Sequence, residues 1–389
     1  MKPPFRHFHR LAWAAVALAF CVIVFGGFVR LSNAGLSCPD WPTCYGKAAW
    51  PTQDHEIASA NEKFERAVEV SKAWREQFHR HLAAGLGLLV LSLSLLAARR
   101  RGFGVGSILL ASSLVALSIP FYTGLNIQSP FQFSLASDHE VSVILVLIGE
   151  LILLIQAIRW SNTDAARLSA ALLMVIVFQA VLGMWTVIWL VKPVIVMAHL
   201  LGGLLTFSML TWLAWQTTPN RQLVQGIAPK LRLLLWIGLA LLVAQIALGG
   251  WTSANYAALA CGSDFPTCQG QWWPEHDFKE AFVLWRGIGV DYEGGVLDGA
   301  ARVAIQLSHR IMAVLVFGHL LFVGIRMIMT HGLRYWGVVL TILLFAQVAL
   351  GISNVVMNLP LWTAVAHNAG AAALLFVVVG LLARLRAPD

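Results

Sequence analysis

Residues 74–98 read WREQFHRHLAAGLGLLVLSLSLLAA, in which a cluster of ionisable side chains stands directly ahead of the apolar run Leu82 to Ala98. An apolar run of this length predicts a membrane helix. Glu76 and His79 are three residues apart and share a helical face, whereas Arg80 is turned about 100° away and is expected to reach a different partner. Ionisable side chains at the end of a membrane helix indicate function when they face the interior of a bundle.

The composition also indicates a membrane protein. Of 389 residues, 58% are hydrophobic and only 12% are charged, so the chain is far more apolar than an ordinary soluble domain. The net charge of +8 does not indicate nucleic-acid binding, because Lys and Arg lie in short segments between apolar runs, where they set membrane orientation. The sequence predicts an all-α polytopic membrane protein.

Ten apolar segments have the length of membrane spans. The third contains Pro120 and many small residues, which leaves eight or nine spans as alternatives. The segments are Leu11 to Phe28, Leu82 to Ala98, Val105 to Tyr122, His139 to Ile158, Ala166 to Trp189, Pro193 to Trp215, Leu231 to Trp251, Val303 to Ile328, Tyr335 to Met357 and Leu361 to Leu385.

Basic residues recur at alternate connections, which predicts that both termini are cytoplasmic. The two long connections, Val29 to Arg80 and Thr252 to Arg302, are then expected on the opposite side of the membrane. The basic groups are the N-terminal tail, Arg99 to Arg101, Arg159 with Arg167, Arg221 to Arg232, Arg326 to Arg334, and Arg384 with Arg386.

Each long connection contains a close cysteine pair, Cys38 with Cys44 and Cys261 with Cys268. Cysteine pairs in loops on the outer side of a membrane favour disulfides. Such short bridges are expected to fix the loops over the helix ends, and a redox-active pair is the alternative.

The two halves of the chain repeat the same motifs. His79-Arg80 matches His309-Arg310, and a Gln-x-x-Leu-Gly motif lies twenty residues before His199 (199 − 179) and before His367 (367 − 347). A Gly-Gly pair also precedes the first cysteine of each pair by the same interval. These matches predict a tandem duplication of a four-helix bundle.

The first copy is longer by an inserted two-helix hairpin. His79 to His199 spans 120 residues (199 − 79), whereas His309 to His367 spans 58 (367 − 309). Glu150 lies in the middle of a hairpin helix and either has a function or holds the hairpin against the first bundle. The predicted parts are residues 1–99 and 164–220 for the N-terminal bundle, 100–163 for the hairpin and 221–389 for the C-terminal bundle.

Each copy supplies two histidines, His79 with His199 and His309 with His367. Two imidazoles from facing helices of a bundle can take the axial positions of a haem iron. A helix-end histidine bonded to a backbone carbonyl is the alternative for any one of them, but four in matched register favour haem. Zinc or copper fits less well, because further ligands at metal spacing are missing nearby.

Three arginines are candidates for binding haem propionates. Arg80 and Arg310 directly follow a histidine of each pair, and guanidinium groups suit two-pronged ion pairs with carboxylates. Arg30, at the end of the first helix, belongs to the first copy only. Snorkelling of the side chain to the membrane interface is the alternative for Arg80 and Arg310.

The copies differ three residues before the His-Arg pair, where the first has Glu76 and the second has Gln306. A carboxylate in one copy predicts that the first bundle performs proton transfer or radical-type chemistry, while the second holds a redox centre. A solvated first-turn residue stabilised by the helix N-terminus is the alternative reading of Glu76.

Taken together, these motifs resemble the haem A synthase family. The resemblance covers nearly the whole chain outside the hairpin, and because family members have eight helices, the hairpin is expected to depart from the family pattern. It is carried by Gly26-Gly27-Phe-Val-Arg30-Leu-Ser-Asn-Ala-Gly35-Leu-Ser-Cys38-Pro-Asp-Trp-Pro, Glu76-x-x-His79-Arg80, Leu182-Gly183-Met-Trp-Thr leading to His199, and Ser308-His309-Arg310 leading to His367.

The resemblance implies an oxidoreductase that converts the C8 methyl group of haem O to the formyl group of haem A, for terminal oxidases. Glu76 would be catalytic, His79 and His199 would bind the substrate haem, and His309 and His367 would bind a haem b cofactor. It also implies a bacterial cytoplasmic membrane, with the haem sites towards the periplasmic side.

The expected partners are haem O, haem A, membrane lipid, a haem O synthase upstream and an electron donor, and homo-oligomerisation is left open. A di-haem b-type electron-transfer protein is the main alternative function, because it needs the four histidines but not Glu76. A haem transporter or chaperone is a third hypothesis.

Overall fold

The computed structural model describes residues 5–123, 138–161, 163, 165–219 and 229–385; Arg221 and Arg386 of the predicted basic groups lie outside them. Within these residues, ten helices are long and apolar enough to cross a membrane, which confirms the predicted multi-pass, all-α fold. They are α1 (Phe8–Leu31), α3 (Val70–Ala98), α4 (Gly104–Thr123), α5 (Asp138–Arg159), α6 (Ala166–Ile188), α7 (Pro193–Thr217), α8 (Pro229–Ala254), α10 (Gly299–Ile328), α11 (Arg334–Val356) and α12 (Leu361–Arg384). Two short helices, α2 (Asp54–Lys63) and α9 (Phe278–Ala281), lie in the long connections.

The helix that contains the apolar run Leu82 to Ala98 begins twelve residues before that run (82 − 70), at Val70, so Glu76 and His79 lie on the helix as expected. The apolar run marks only the part of the helix that suits lipid, whereas the polar turns before it are helical because they pack under the first long connection. Ala73 and Gln77 are buried there. Glu76 therefore lies in the second turn and is buried, so the solvated first-turn alternative is wrong.

Helices α1, α3, α6 and α7 form the first bundle, a ring in which each helix packs against the next. In this ring α3 and α7 stand opposite each other. Ala12, Ala15 and Ala19 are buried on α1, and small residues at this spacing let neighbouring helices approach closely.

Helices α8, α10, α11 and α12 form a second ring of the same kind, with α10 opposite α12. Close packing again depends on small residues: a Cβ at Gly337 of α11 would lie 2.7 Å from the carbonyl oxygen of Gly324 on α10. The two rings meet where α12 packs against α1 and α7, and α7 packs against α8. Gln216 at the end of α7 donates to the carbonyl of Ala383 on α12 across this junction, at 2.8 Å.

The hairpin of α4 and α5 packs against α3 and α6 of the first ring. Its two helices touch at Gly149, where an added Cβ would lie 2.9 Å from Val115 and 3.0 Å from the carbonyl oxygen of Ala111. Much of its apolar surface, including Leu147 and Leu151, is exposed in the protein and suits contact with lipid. Glu150 is the neighbour of Gly149, and its Oε1 is buried with no hydrogen-bond partner in the described part of the chain.

The two long connections lie on the same side of the helices, which we call the loop side. Arg66 of the first connection pairs with Glu293 of the second, at 3.0 Å. Both predicted disulfides are present, Cys38–Cys44 and Cys261–Cys268, and all four cysteines are buried.

Replacing Gly149 by leucine is expected to destabilise the hairpin, because the new side chain meets the backbone of α4. Overpacking of this kind costs about 1–3 kcal/mol. The measurement is the thermal unfolding midpoint in detergent. Gly106→Leu in α4 is the matched control, because a Cβ there meets nothing within 4 Å. An equal midpoint for the two variants would contradict the packing described for α4 and α5.

Candidate functional site

In the first bundle, His79 of α3 and His199 of α7 each lie against a glycine of a neighbouring helix. A Cβ added to Gly26 would be 2.8 Å from Cε1 of His79, and one added to Gly183 would be 3.0 Å from Cε1 of His199. Two opposite helices thus direct one imidazole each into the same ring of helices.

The second bundle repeats this arrangement with His309 of α10 and His367 of α12. A Cβ at Gly249 would be 3.2 Å from Cε1 of His309, and one at Gly351 would be 3.1 Å from Cε1 of His367. The structure therefore places each predicted histidine pair on opposite helices of one bundle.

The histidine pairs fit the axial ligands of a haem. The Nδ1 atoms of His79, His199 and His367 are buried and have no hydrogen-bond partner among the described residues. Buried ring nitrogens normally have a partner, so these open nitrogens suit rings that a bound group completes. Three or more metal-ligating side chains do not come together anywhere in the described ranges. A metal held by two imidazoles needs further ligands, and the macrocycle of a haem supplies four of them.

Glutamines hold the backbone beside three of the four histidines. Nε2 of Gln179 donates to the carbonyl of His199, and Nε2 of Gln347 donates to the carbonyl of His367 at 3.0 Å. Gln245 of α8 lies 3.1 Å from Nδ1 of His309 and donates to its carbonyl at 3.2 Å. Gln245 was not predicted as a site residue, although an amide in the middle of a membrane helix is a signal of an internal polar contact.

Glu76 is 4% exposed and is held by the first disulfide loop. Its Oε2 accepts from the backbone N–H of Cys38 at 2.9 Å, and its Oε1 accepts from Arg80 at 2.5 Å. Arg80 reaches Glu76 as well as the different partners expected from the sequence, because four residues along a helix bring side chains to within about 40° of each other. In the second bundle the matching residue, Gln306, is equally buried, and its Oε1 lacks a hydrogen-bond partner within the described residues.

Arg80 and Arg310 fasten the two disulfide loops to their helices. Arg80 donates to the carbonyls of Asp40 and Thr43, both at 2.7 Å, and of Cys38 at 3.1 Å. Arg310 donates to the carbonyls of Thr267 at 2.9 Å and Asp264 at 3.0 Å. Most N–H groups of both side chains thus donate hydrogen bonds to protein oxygens. Binding of haem propionates by Arg80 and Arg310 stays a prediction.

Arg30, the third predicted propionate residue, joins the two bundles. It donates to the carbonyl of Ser253 at 2.7 Å and to the hydroxyl of Tyr256 at 3.0 Å, and it stacks on the Tyr256 ring. Ser253 lies in the last turn of α8, and Tyr256 comes two residues after the helix ends. Its Nε is buried and unpartnered among the described residues, so a propionate role also stays a prediction here.

The Gly-Gly pairs connect the two sites. Gly27 follows Gly26, the glycine in contact with His79. A Cβ added to Gly27 would lie 2.0 Å from Nδ2 of Asn368, the residue after His367. On the other side of the junction, a Cβ at Gly250 would lie 2.8 Å from Leu200, the residue after His199. Each Gly-Gly pair therefore contacts a histidine of its own bundle and the neighbour of a histidine in the other.

Lys192, which the sequence did not single out, is only 1% exposed on the loop side. Its Nζ has no hydrogen-bond partner in the described structure and lies 3.5 Å from the centre of the Trp285 ring and 5.6 Å from that of Trp189. Burial lowers the pKa of Lys192. The sequence signal was a lone lysine in a short apolar connection on the side opposite the arginine-rich connections.

Comparison with known proteins identifies the family to which this chain belongs. Residues 9–120 and 141–379 match the COX15-CtaA family, described as cytochrome oxidase assembly protein. The chain belongs to this family. The match covers both histidine pairs, Glu76 and both disulfide loops.

Individual relatives carry a more specific name. A haem A synthase of Shewanella oneidensis is 38% identical over 380 residues, 95% of each chain. A haem A synthase of Flavobacterium psychrophilum is 25% identical over 392 residues, 92% of each chain. The mouse protein named haem A synthase COX15 is 30% identical over 197 residues, which cover 49% of this chain and 44% of the mouse chain.

The COX15-CtaA match corrects one expectation about the hairpin. Most of α4 and α5 lies within the matched residues, and the gap at 121–140 falls on the connection between them. The Shewanella relative also aligns over nearly its full length. The expectation that the family resemblance lies outside the hairpin is therefore wrong, because both hairpin helices are part of the matched sequence.

The arginine contacts predict that each disulfide loop can be loosened separately. Arg80→Met is expected to speed reduction of Cys38–Cys44 by dithiothreitol about tenfold, because hydrogen bonds from a charged group hold the loop closed. Arg310→Met is expected to do the same for Cys261–Cys268 only. Each variant is the control for the other, and mass spectrometry of alkylated cysteines measures both rates. Equal acceleration of both bridges in either variant would contradict this assignment.

Proposed function

We propose that this protein is a haem A synthase that oxidises the C8 methyl group of haem O to the formyl group of haem A. The observation that carries the proposal is the difference between two otherwise matched sites: the first histidine pair has the buried carboxylate Glu76 on the same helix, and the second has Gln306. The family membership and the names of the relatives support it.

The first bundle is the proposed substrate site. His79 and His199 would hold the iron of haem O between α3 and α7, with Gly26 and Gly183 leaving room for the two rings. Because the glutamine contact fixes the backbone of His199, the ring would be oriented before the substrate arrives. This preorganisation would set the position of the macrocycle edge that reacts.

The second bundle is the proposed site of a haem b cofactor, held by His309 and His367. When bound, haem b would supply one-electron chemistry. Gln245 and Gln347 would orient the two ligand rings. With Gln306 in place of a carboxylate, this bundle would keep a redox centre without a proton-transfer group beside it.

Glu76 is the proposed catalytic residue. Conversion of a methyl group to a formyl group adds one oxygen atom, removes two hydrogen atoms and is a four-electron oxidation. The oxygen atom and the electron acceptor would come from outside the chain, and a nearby group must carry the released protons away. Glu76 lies one helical turn from His79, and the Cys38 N–H and Arg80 hold its two oxygens in place. The first disulfide loop would thereby position the catalytic carboxylate, in addition to covering the bundle.

The proposed location is a bacterial cytoplasmic membrane, with both termini cytoplasmic and both haem sites towards the periplasmic side. The distribution of Lys and Arg supports this orientation. The two disulfides on the loop side support an oxidising compartment there. Haem O synthase upstream and a separate electron donor remain the proposed partners.

The main alternative, a di-haem electron-transfer protein, accounts for four histidines but not for Glu76. Burying a carboxylate and fixing it with a charged partner is costly, and ligation of a second haem does not require it. A transporter or chaperone explains neither the matched pairs nor this difference.

Glu76→Gln is expected to lower haem A formation about 10²–10⁴-fold, because it removes the proton-carrying group while keeping the side-chain shape. Haem A and haem O are measured by mass spectrometry of extracts from cells that also make haem O. Gln306→Ala is the matched control and should keep activity. Unchanged conversion in Glu76→Gln, with the protein still folded, would remove Glu76 from the mechanism.

The two histidine pairs are expected to hold different haems. His367→Leu should remove the resident haem b from the purified protein and leave binding of added haem O at the first site, since the pairs lie in separate bundles. His199→Leu should have the opposite effect. Pyridine haemochrome analysis and optical titration measure the two quantities. If either variant loses both haems while its unfolding midpoint is unchanged, the assignment of two sites is wrong.

A further inference from the structure

Lys192 has a buried positive charge that the fold leaves without a hydrogen-bond acceptor. Its side chain is 1% exposed, and Nζ has no partner within the described residues. An ammonium group carries three N–H donors, and burying them unpaired is costly. The Trp285 ring attracts the charge but does not replace an oxygen acceptor. Arg30, Arg80 and Arg310, by contrast, donate hydrogen bonds to carbonyl oxygens of the protein.

The position of Lys192 relates it to the first histidine pair. Lys192 immediately precedes α7, seven residues before His199 (199 − 192). Lys192 is the N-cap of α7, so its Cα lies about two helical turns, roughly 10.5 Å along the helix axis, from that of His199. An anion at this end also meets the favourable N-terminal end of the helix dipole.

The matching position of the second bundle carries no charge. Pro360 immediately precedes α12, seven residues before His367 (367 − 360). A positive charge at the start of this helix is thus found at Lys192 and not at its counterpart, just as a carboxylate is found at Glu76 and not at Gln306. Both differences distinguish the first bundle from the second.

The environment of Lys192 suits the edge of a large planar ligand. Trp189 and Trp285 pack edge to face at 5.8 Å, and Trp189 stacks on Trp185 at 4.9 Å. Trp285 lies in the second long connection, which is fastened over the turn between α6 and α7 because the N–H of Tyr292 donates to the carbonyl of Leu190 at 3.2 Å. Aromatic walls with a single cation match a macrocycle that ends in a carboxylate.

We propose that Lys192 binds a propionate carboxylate of the haem substrate in the first bundle, an inference that rests on the proposed function. The contact fixes how far the macrocycle enters between α3 and α7 and which edge faces Glu76. Lys192 is therefore a binding and positioning residue, and it selects the free acid over an ester of the same porphyrin. A lipid phosphate is the other anion that could reach this side of the protein.

The test compares iron protoporphyrin IX with its dimethyl ester on the full-length protein in detergent. Dissociation constants come from the bis-histidine absorbance bands and from quenching of tryptophan fluorescence. His199→Leu defines the part of the titration that belongs to the first site. Lys192→Met removes the charge at similar volume, Lys192→Arg keeps it, and Lys72→Met on α3 is the control for loss of an exposed lysine that pairs with Glu69.

We expect the original protein to bind the diacid about tenfold more tightly than the ester at the first site, because a charge-assisted hydrogen bond is lost with the ester. Lys192→Met should bind the diacid about tenfold more weakly and should not distinguish the two ligands. Lys192→Arg and Lys72→Met should retain discrimination. This pattern assigns the propionate contact to Lys192.

Two results overturn the inference in different ways. If Lys192→Met still prefers the diacid as strongly as the original protein, the propionate contact is elsewhere; a loss of copurified phospholipid in that variant would assign Lys192 to lipid. If neither porphyrin shows binding that depends on His199, the proposed substrate site fails as well. A matching unfolding midpoint for Lys192→Met and the original protein excludes misfolding as the cause.

Discussion

Four imidazole rings lie against glycines of a neighbouring helix, where an added Cβ would come within 2.8–3.2 Å of a ring carbon. This steric constraint sets the spacing of both bundles, because Gly26, Gly183, Gly249 and Gly351 fix how closely each helix approaches its neighbour. Apolar side chains pack on apolar lipid as readily as on each other, so helices in a membrane depend on such close contacts and on internal hydrogen bonds. The glutamines beside three of the histidines add those bonds. The same contacts therefore assemble the bundles and orient the rings.

On this shared frame, the polar residues of the two bundles differ. The first has the ion pair of Glu76 and Arg80 under its disulfide loop and the buried charge of Lys192 at the start of α7. The second has Gln306 and Pro360 at the corresponding places. Buried charges are retained only where something compensates their desolvation or uses them. The concentration of such groups in the first bundle is the physical basis for the proposal that chemistry takes place there and that the second bundle holds a redox group.

The sequence was sufficient for the features that depend on local composition and spacing. Ten apolar runs predicted ten membrane helices, and the cysteine spacing predicted both bridges. It was insufficient where tertiary contacts decide. The apolar run marks α3 only from Leu82 onward, and the contacts that bury Ala73, Glu76 and Gln77 lie in the turns before it. The contacts of Lys192 with Trp285 join residues from different halves of the chain, so no local pattern reveals them.

The contacts of Gly27 with Asn368 and of Gly250 with Leu200 cross the junction in both directions. In each half, a residue next to a histidine is thus packed against a glycine of the opposite half. A change in the volume of Gly27 or Gly250 must be accommodated by both bundles at once. Recombining a first half from one relative with a second half from another would therefore preserve the packing beside the histidines only when these crossing residues are exchanged as matched sets.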